Sequence, residues 1–412
     1  MRVRSLLIAV FCWACSSAPP APSGSAPPPC DALPLVGKAT PSALAGDEGG
    51  GIALVGTSRG AQLRSGSAML DASGGFALRT DGAGRVSWIH ALGAAQPLAV
   101  ALEPDGSVVV VGQAQRQCFA ARLAAGDGRE LWTSRLTGIG ESACRGVAVD
   151  PRNGDLWAVG EFSGSLGPVR SAGLSDALVL KVAAANGEMR LARTFGSKGT
   201  DVANAVAVTP SGDAVVGGSF GADVDASVAE IDFGRGAVRG AGGADGFLVG
   251  LAPEGGTRWV SVAGEHGEDE IVAVAARGSA VFAAANAHRD RKGAECGGHI
   301  LVLRRGEWVR AMDDECTSAR AAAIDDSGRF WTLESSGRSL RARAFRPGDG
   351  APLGFRAWAG DRAAVRAGGI ARVPGGLAAA GITDGEAIVC GKPVGSAGEP
   401  AAFVVWVRDL SP

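Results

Sequence analysis

Histidine is scarce in this chain, with four residues in 412. They are His90, His266, His288 and His299, and no HExxH sequence joins any two of them, which excludes the helical zinc-protease motif. An excess of one charge is missing too. Forty Lys and Arg face 42 Asp and Glu, for a formal net charge of -2, so there is no general attraction to nucleic acid or to an anionic membrane. Lysine is rare beside arginine, and GC-rich codon use accounts for part of the composition. No apolar run after the first fifteen residues is long enough to span a bilayer. Walker A and clean GxGxxG sequences are absent. Gly56-Thr-Ser58-Arg-Gly60 spells GxSxG, but it follows a strand and leads into a β loop, without the helix that a nucleophile elbow requires. It reads as a chance match in a glycine-rich chain. Helical periodicity and helix caps are lacking throughout.

What is present is glycine, 64 residues of it, and a repeat. From about residue 44 a short apolar run meets a Gly/Pro/Asp turn and a second apolar run follows. The turns are GDEGGG at 46–51, EPDGS at 103–107, DPRNGD at 150–155, TPSGD at 209–213, ARGSA at 276–280, DDSGR at 325–329 and VPGG at 373–376. Their flanks alternate as strands do, so these are seven hairpins. A third strand follows each, as in DALVLKV at 176–182 and GFLVGL at 246–251. In the first six units a fourth strand carries Trp88, Trp132, Leu191, Trp259, Trp308 or Phe355. Four antiparallel strands every 45 to 65 residues is the period of a propeller blade. The expected fold is all-β: a seven-bladed β-propeller of four-stranded antiparallel blades. The seventh unit lacks its own fourth strand, and the segment 32–39 is expected to supply it, closing the ring and removing exposed strand edges.

The N-terminus reads as an address. Arg2 and Arg4 precede an apolar segment from Ser5 to Trp13, and Ala14-Cys15-Ser16 follows. This resembles the lipobox of bacterial lipoproteins, in which the cysteine is acylated, with Cys12 and Trp13 where leucine and a small residue usually stand. Cleavage by the ordinary signal peptidase in the following Ala/Ser/Pro stretch is the alternative. Residues 1–15 are thus a signal, 16–30 a Pro/Ser/Ala-rich tether, and 31–412 one domain. Ser16 after Cys15, rather than aspartate, resembles the sorting pattern for an outer membrane. The repeats resemble the SBBP type of bacterial exported proteins, most closely over 176–220 and again over 243–264. That resemblance implies a propeller in an exported, surface-associated setting, and no catalytic motif.

Six cysteines remain after the signal, an even set suited to an oxidising compartment. Cys118 and Cys144 flank neighbouring units on one face, as do Cys296 and Cys316, so each pair can staple two blades. Cys30 and Cys390 pair by elimination, although the strand map puts them near opposite faces.

The long connections between second and third strands, 161–175, 219–244 and 284–298, fall in neighbouring units. Loops grouped on one rim of a rigid scaffold are where binding groups concentrate. The candidates are Asp223, Asp225, Asp232, Arg235 and Arg239, then His288, Arg289, Asp290, Arg291 and Lys292, with Glu265, His266, Glu268 and Asp269 beside them. For each one, a solvated loop residue is the competing reading. Asp223, Asp225 and Asp232 offer oxygen ligands to calcium, at a spacing that matches neither the EF-hand nor the RTX nonapeptide. No cofactor is expected. The function expected is a monomeric, non-catalytic binding or scaffold module tethered to the envelope, with a glycan or an envelope protein as partner. A glycan hydrolase or lyase working in the channel mouth is one alternative. An outer-membrane assembly factor is another.

Overall fold

Apolar runs such as Val108–Val111, fully shielded from solvent, form strands buried on both faces, whereas outer strands such as Glu130–Arg135 alternate exposed and half-buried residues. The computed structural model describes residues 30–410 except 36–37, 60–62, 66–67, 71–72, 225–228, 265–266, 279, 289–295, 305–306, 313–317, 337, 361–362, 397–398 and 409. We letter the strands of each unit a to d from the centre outward. Unit one is Ala39–Gly46, Ile52–Ser58, Gly74–Thr80 and Val86–Gly93; unit two is Gln96–Leu102, Val108–Ala114, Gln117–Leu123 and Glu130–Arg135. Unit three is Ser142–Val149, Leu156–Phe162, Asp176–Val182 and Met189–Phe195; unit four is Thr200–Val208, Ala214–Ala222, Asp245–Leu251 and Thr257–Ala263. Unit five is Glu268–Arg277, Ala280–His288, Cys296–Arg304 and Glu307–Met312. All five are four-stranded antiparallel sheets in the order a-b-c-d.

Unit seven (Val365–Val373, Gly376–Thr383, Ala401–Arg408) takes its outer strand from Cys30–Leu35, with Cys30 opposite Val407 and Leu35 opposite Ala402. This N-terminal strand is the expected closure, begun two residues earlier; Ala39 already belongs to strand a of unit one. The expectation of seven equal four-stranded blades is corrected: six sheets are four-stranded. In unit six the strands Ser318–Ile324, Phe330–Ser336, Ser339–Phe345 and Pro352–Gly360 are extended by a hairpin, Ala387–Val389 and Lys392–Val394, lent by unit seven. That makes a six-stranded sheet. Strand a of each unit packs against strand a of the next, and unit seven against unit one.

One local device recurs in all seven units. Strand a carries a β-bulge, at Pro41/Ala43, Pro97/Ala99, Cys144/Gly146, Ala203/Ala205, Ile271/Ala273, Ala319/Ala321 and Ala367/Gly369. The bulge turns a strand-a carbonyl onto strand b. In unit three a Cβ added at Gly160 would lie 1.8 Å from the Ala143 oxygen, and in unit four one at Gly218 would lie 1.9 Å from the Val202 oxygen. Only glycine leaves room for that approach.

The core sits in the seams between sheets. Trp157, Val159 and Val179 of unit three pack with Val216, Phe220, Phe247 and Val249 of unit four. Outer-strand residues dock on the next unit: Trp132 donates its indole N–H to the Ala184 carbonyl at 2.8 Å and covers Gly187. On the short-turn face Arg372 bridges Asp326 and Glu48, each at 2.6 Å, linking units six, seven and one. The Gly375 N–H and the two arginines beside Asp326 hold its carboxyl down at about 2.

Candidate functional site

In units three and four the long connections fold into hairpins. In unit four the connection folds into a small hairpin, Glu230–Asp232 with Ala237–Arg239, that turns back over the outside of the ring. Phe233 is its anchor, its ring 5.3 Å from Phe195, 6.1 Å from Phe220 and 4.7 Å from Phe247. In unit three a shorter hairpin, Ser165–Leu166 with Val169–Arg170, lies against Ile139 of the unit two to three loop. Similar hairpins come from unit one (Leu63–Ser65 with Ala68–Leu70) and unit seven. We call these arms.

The rim candidates therefore separate. Asp232 accepts the N–H groups of Gly234, Arg235 and Gly236 at 2.7–3.1 Å, closing its own turn. Arg239 pairs with Glu230 at 2.8 Å across the arm, and Arg235 is exposed at its tip. Asp223 accepts the Thr200 hydroxyl at 2.8 Å. Glu268 accepts the Ala244 N–H at 3.2 Å, and buried Asp269 donates its own N–H to the Ala244 carbonyl. Asp223 and Asp232 are thus each engaged in local hydrogen bonds, and among the described residues no group of three His, Cys, Asp or Glu is placed to hold a metal ion. Asp225, Glu265, His266, Arg289, Asp290, Arg291 and Lys292 lie outside the described residues, as do Cys15 and Cys316. Of His288, His299 and Cys296 only the backbone is described, at the end of strand b of unit five and on its strand c. Ser58 ends strand b of unit one, buried, with no described partner for its hydroxyl, and the next described element is the strand Leu63–Ser65.

What the loop face does bring together is a polar network over the unit two to three seam. Gln115 and Arg116 form a two-residue turn with both φ angles positive, 53° and 64°. Neither is Gly or Asn, the residues that favour such a turn, so side-chain contacts must hold it. Arg116 pairs with Glu141, and the Gln115 amide oxygen accepts from Arg135 at 2.9 Å. Gln113 donates to the Ser142 carbonyl at 3.1 Å, Gln117 to the Gly140 carbonyl at 2.8 Å, and the Ser142 hydroxyl accepts the Cys118 N–H at 2.9 Å. Arg145, the extra residue of the unit three bulge, pairs with Glu161 at 2.5 Å. Beneath them Cys118 and Cys144 form the expected disulfide, with Cα atoms 5.0 Å apart. Sequence reasoning missed this network, because its signal is a non-glycine residue at each turn position.

Cys30 and Cys390 are also bonded. Placing them near opposite faces was wrong. The arm of unit seven pairs Val389 with Ala359 on the outer strand of unit six, and this carries Cys390 to Cys30.

Three buried carboxylates fasten the loops of units three and four. Asp176 and Asp245 open strand c of units three and four, and accept N–H groups of Ala172 and of Ala241 and Gly242. Each lies against the backbone of a glycine, Gly196 and Gly264 respectively. Asp201 accepts the Ser197 N–H and hydroxyl and the Gly221 N–H. Burial is the main cause pushing the Asp176 carboxyl up to about 6, with the neighbouring Asp201 charge adding to it, while the Ala172 and Gly173 N–H groups pull the other way. Burial raises Asp201 and Asp245 as well.

A closed ring of small antiparallel sheets, each packed strand a to strand a on the next, has one name. The chain is a β-propeller. Solved structures agree. The U3-55K structure aligns at a TM-score of 0.54 with 11% identity, over 91% of this chain and 98% of that one. The Neurospora crassa Pan2 WD40 domain aligns at 0.50 with 10% identity, over 90% of each. Acylaminoacyl peptidase aligns at 0.51 with 11% identity, over 89% of this chain and 51% of that one. At such identities the likeness is of fold alone. No family model matches the sequence, and no curated protein matches it.

Proposed function

We propose that the chain is a non-catalytic binding or scaffold module working outside the cytoplasm, held at the bacterial envelope by a lipidated Cys15 and the tether 16–30. The observation that carries this reading is the pair of disulfides, Cys118–Cys144 and Cys30–Cys390, the second joining the chain's two ends across 360 residues. Bonds of that kind persist in oxidising compartments. The SBBP-like repeats and the lipobox-like start point the same way. The loop-face carboxylates support a non-catalytic role, because Asp176, Asp201 and Asp245 are spent on backbone N–H groups and are buried. The enlarged sheet of unit six is read here as a seventh blade, since its strand Ser318–Ile324 packs between the first strands of units five and seven. Partners would be an envelope protein or glycan met by a monomer at the outer membrane.

The test is expression of the full chain in a Gram-negative host with an alkyne-bearing fatty acid, followed by membrane fractionation. Label and outer-membrane recovery that both vanish in Cys15→Ser support the anchor. An unlabelled, soluble wild type refutes it. A thermal-shift screen against calcium, cell-wall fragments and a glycan panel then seeks the ligand. A glycan hydrolase or lyase would need carboxylates open to a substrate, which Asp176 and Asp201, 3% and 0% exposed, do not supply.

A further inference from the structure

The seams on either side of unit three are built on one plan but finished differently. Phe195 and Leu136 occupy matching places: Phe195 pairs with Ala177, and Leu136 donates its N–H to the carbonyl of the equivalent Cys118. Val260 and Val262, opposite Val249 and Phe247 in unit four, correspond to Ala192 and Thr194, opposite Leu180 and Leu178 in unit three. Each substitution toward the unit two to three seam makes the side chain smaller or more polar.

The arms differ in the same direction. The unit four arm fills its seam with Ile231 and Phe233, 1% and 0% exposed. The unit three arm inserts only Leu166, then passes over as Gly167-Pro168-Val169. At the level where Phe233 sits in the filled seam, the other holds a cavity of about 430 Å3. Leu136, Leu166, Leu180, Val182 and Ala192 line it, and Met189 and Val169, 48% and 39% exposed, border its mouth. A cavity that size, apolar with a few polar groups, falls in the range of small-ligand sites, ~300–1,000 Å3. Arg135 is the one charged residue among those lining it. It donates to the neutral Gln115 amide oxygen at 2.9 Å, and among the described residues no carboxylate pairs with it.

We propose that this cavity is a binding site for a small aromatic carboxylate. The ring takes the place that Phe233 fills in the neighbouring seam, and the acid group meets Arg135 at the mouth. The ring is argued from the internal repeat, since one seam shows which group completes such a space. The acid is argued from charge complementarity. The proposal stands on the seam alone and survives failure of the envelope reading.

Calorimetric titration of the full chain with 4-phenylbutyrate, 4-phenylbutanol and 4-phenylbutylamine tests it. Saturable binding is expected, strongest for the acid. Ala192→Trp should fill the cavity and weaken binding at least ~tenfold. Arg135→Gln should bring the acid and the alcohol to within about twofold of one another. Thermal melts confirm that each variant folds, and Val169→Trp serves as a second block if Ala192→Trp does not. No saturable binding by the folded wild type overturns the proposal. Binding untouched by a folded blocking variant overturns it as well. Equal affinity for all three probes in the wild type overturns the acid and leaves only an apolar slot.

Discussion

At the scale of single residues, burial decides what a polar side chain does. Asp176 is 3% exposed, and its proton is favoured in the folded state, with the carboxyl at about 6 against 3.8 unfolded. The folded chain therefore holds more protons than the unfolded chain between those values. Stability must fall as pH rises through that window and level off above it. A displacement of that size corresponds to about 3 kcal/mol. Asp176→Asn is expected to flatten the decline between pH 4 and 6 relative to wild type, measured by denaturant unfolding at each pH. An unchanged slope would show that Asp176 titrates as an ordinary carboxylate. Gly187 is a second case. Its φ is +72°, and an added Cβ would come within 2.6 Å of the Trp132 ring. Gly187→Ala should cost about 1–3 kcal/mol, whereas Gly167→Ala, at φ +57° with open space around it, should bear only the backbone part of that cost. Chemical melts of the two variants make the comparison.

At the scale of elements, the arms explain much that the turn pattern left open. Strands, turns and the closing segment were legible because period-two alternation and Gly/Asp turns are local signals. The arms were not. Ile231 and Phe233 sit in a polar, glycine-rich stretch, and only contact with Phe195 and Phe247 of two other strands makes that stretch a hairpin. Replacing Phe233 by alanine should destabilise the chain by about 3–5 kcal/mol, as expected for a buried aromatic. Replacing Val169 by alanine, at the partly exposed tip of the unit three arm, should cost under about 1 kcal/mol. If the two melts coincide, the unit four arm is not part of the core.

At the scale of the whole molecule, closure rests on the strand Cys30–Leu35, the Arg372 bridges and the Cys30–Cys390 bond. The two disulfides span 360 and 26 residues. Loop-closure entropy grows as the logarithm of length, so the longer bridge should contribute about 2 kcal/mol more. Thermal unfolding of Cys30→Ser/Cys390→Ser beside Cys118→Ser/Cys144→Ser checks this, and an equal loss would mean that strain or residual structure outweighs chain entropy.

The amino-acid order by itself determined the all-β repeat, the hairpin turns, the N-terminal closing strand and the Cys118–Cys144 pair, because each depends on neighbours in sequence or on a repeat read against itself. Only the tertiary structure decided the six-stranded sheet of unit six, the Cys30–Cys390 bond, the strained Gln115-Arg116 network and the cavity beside Leu136. Each joins segments from different units, and which segments meet is settled by packing across seams, to which a local pattern is blind.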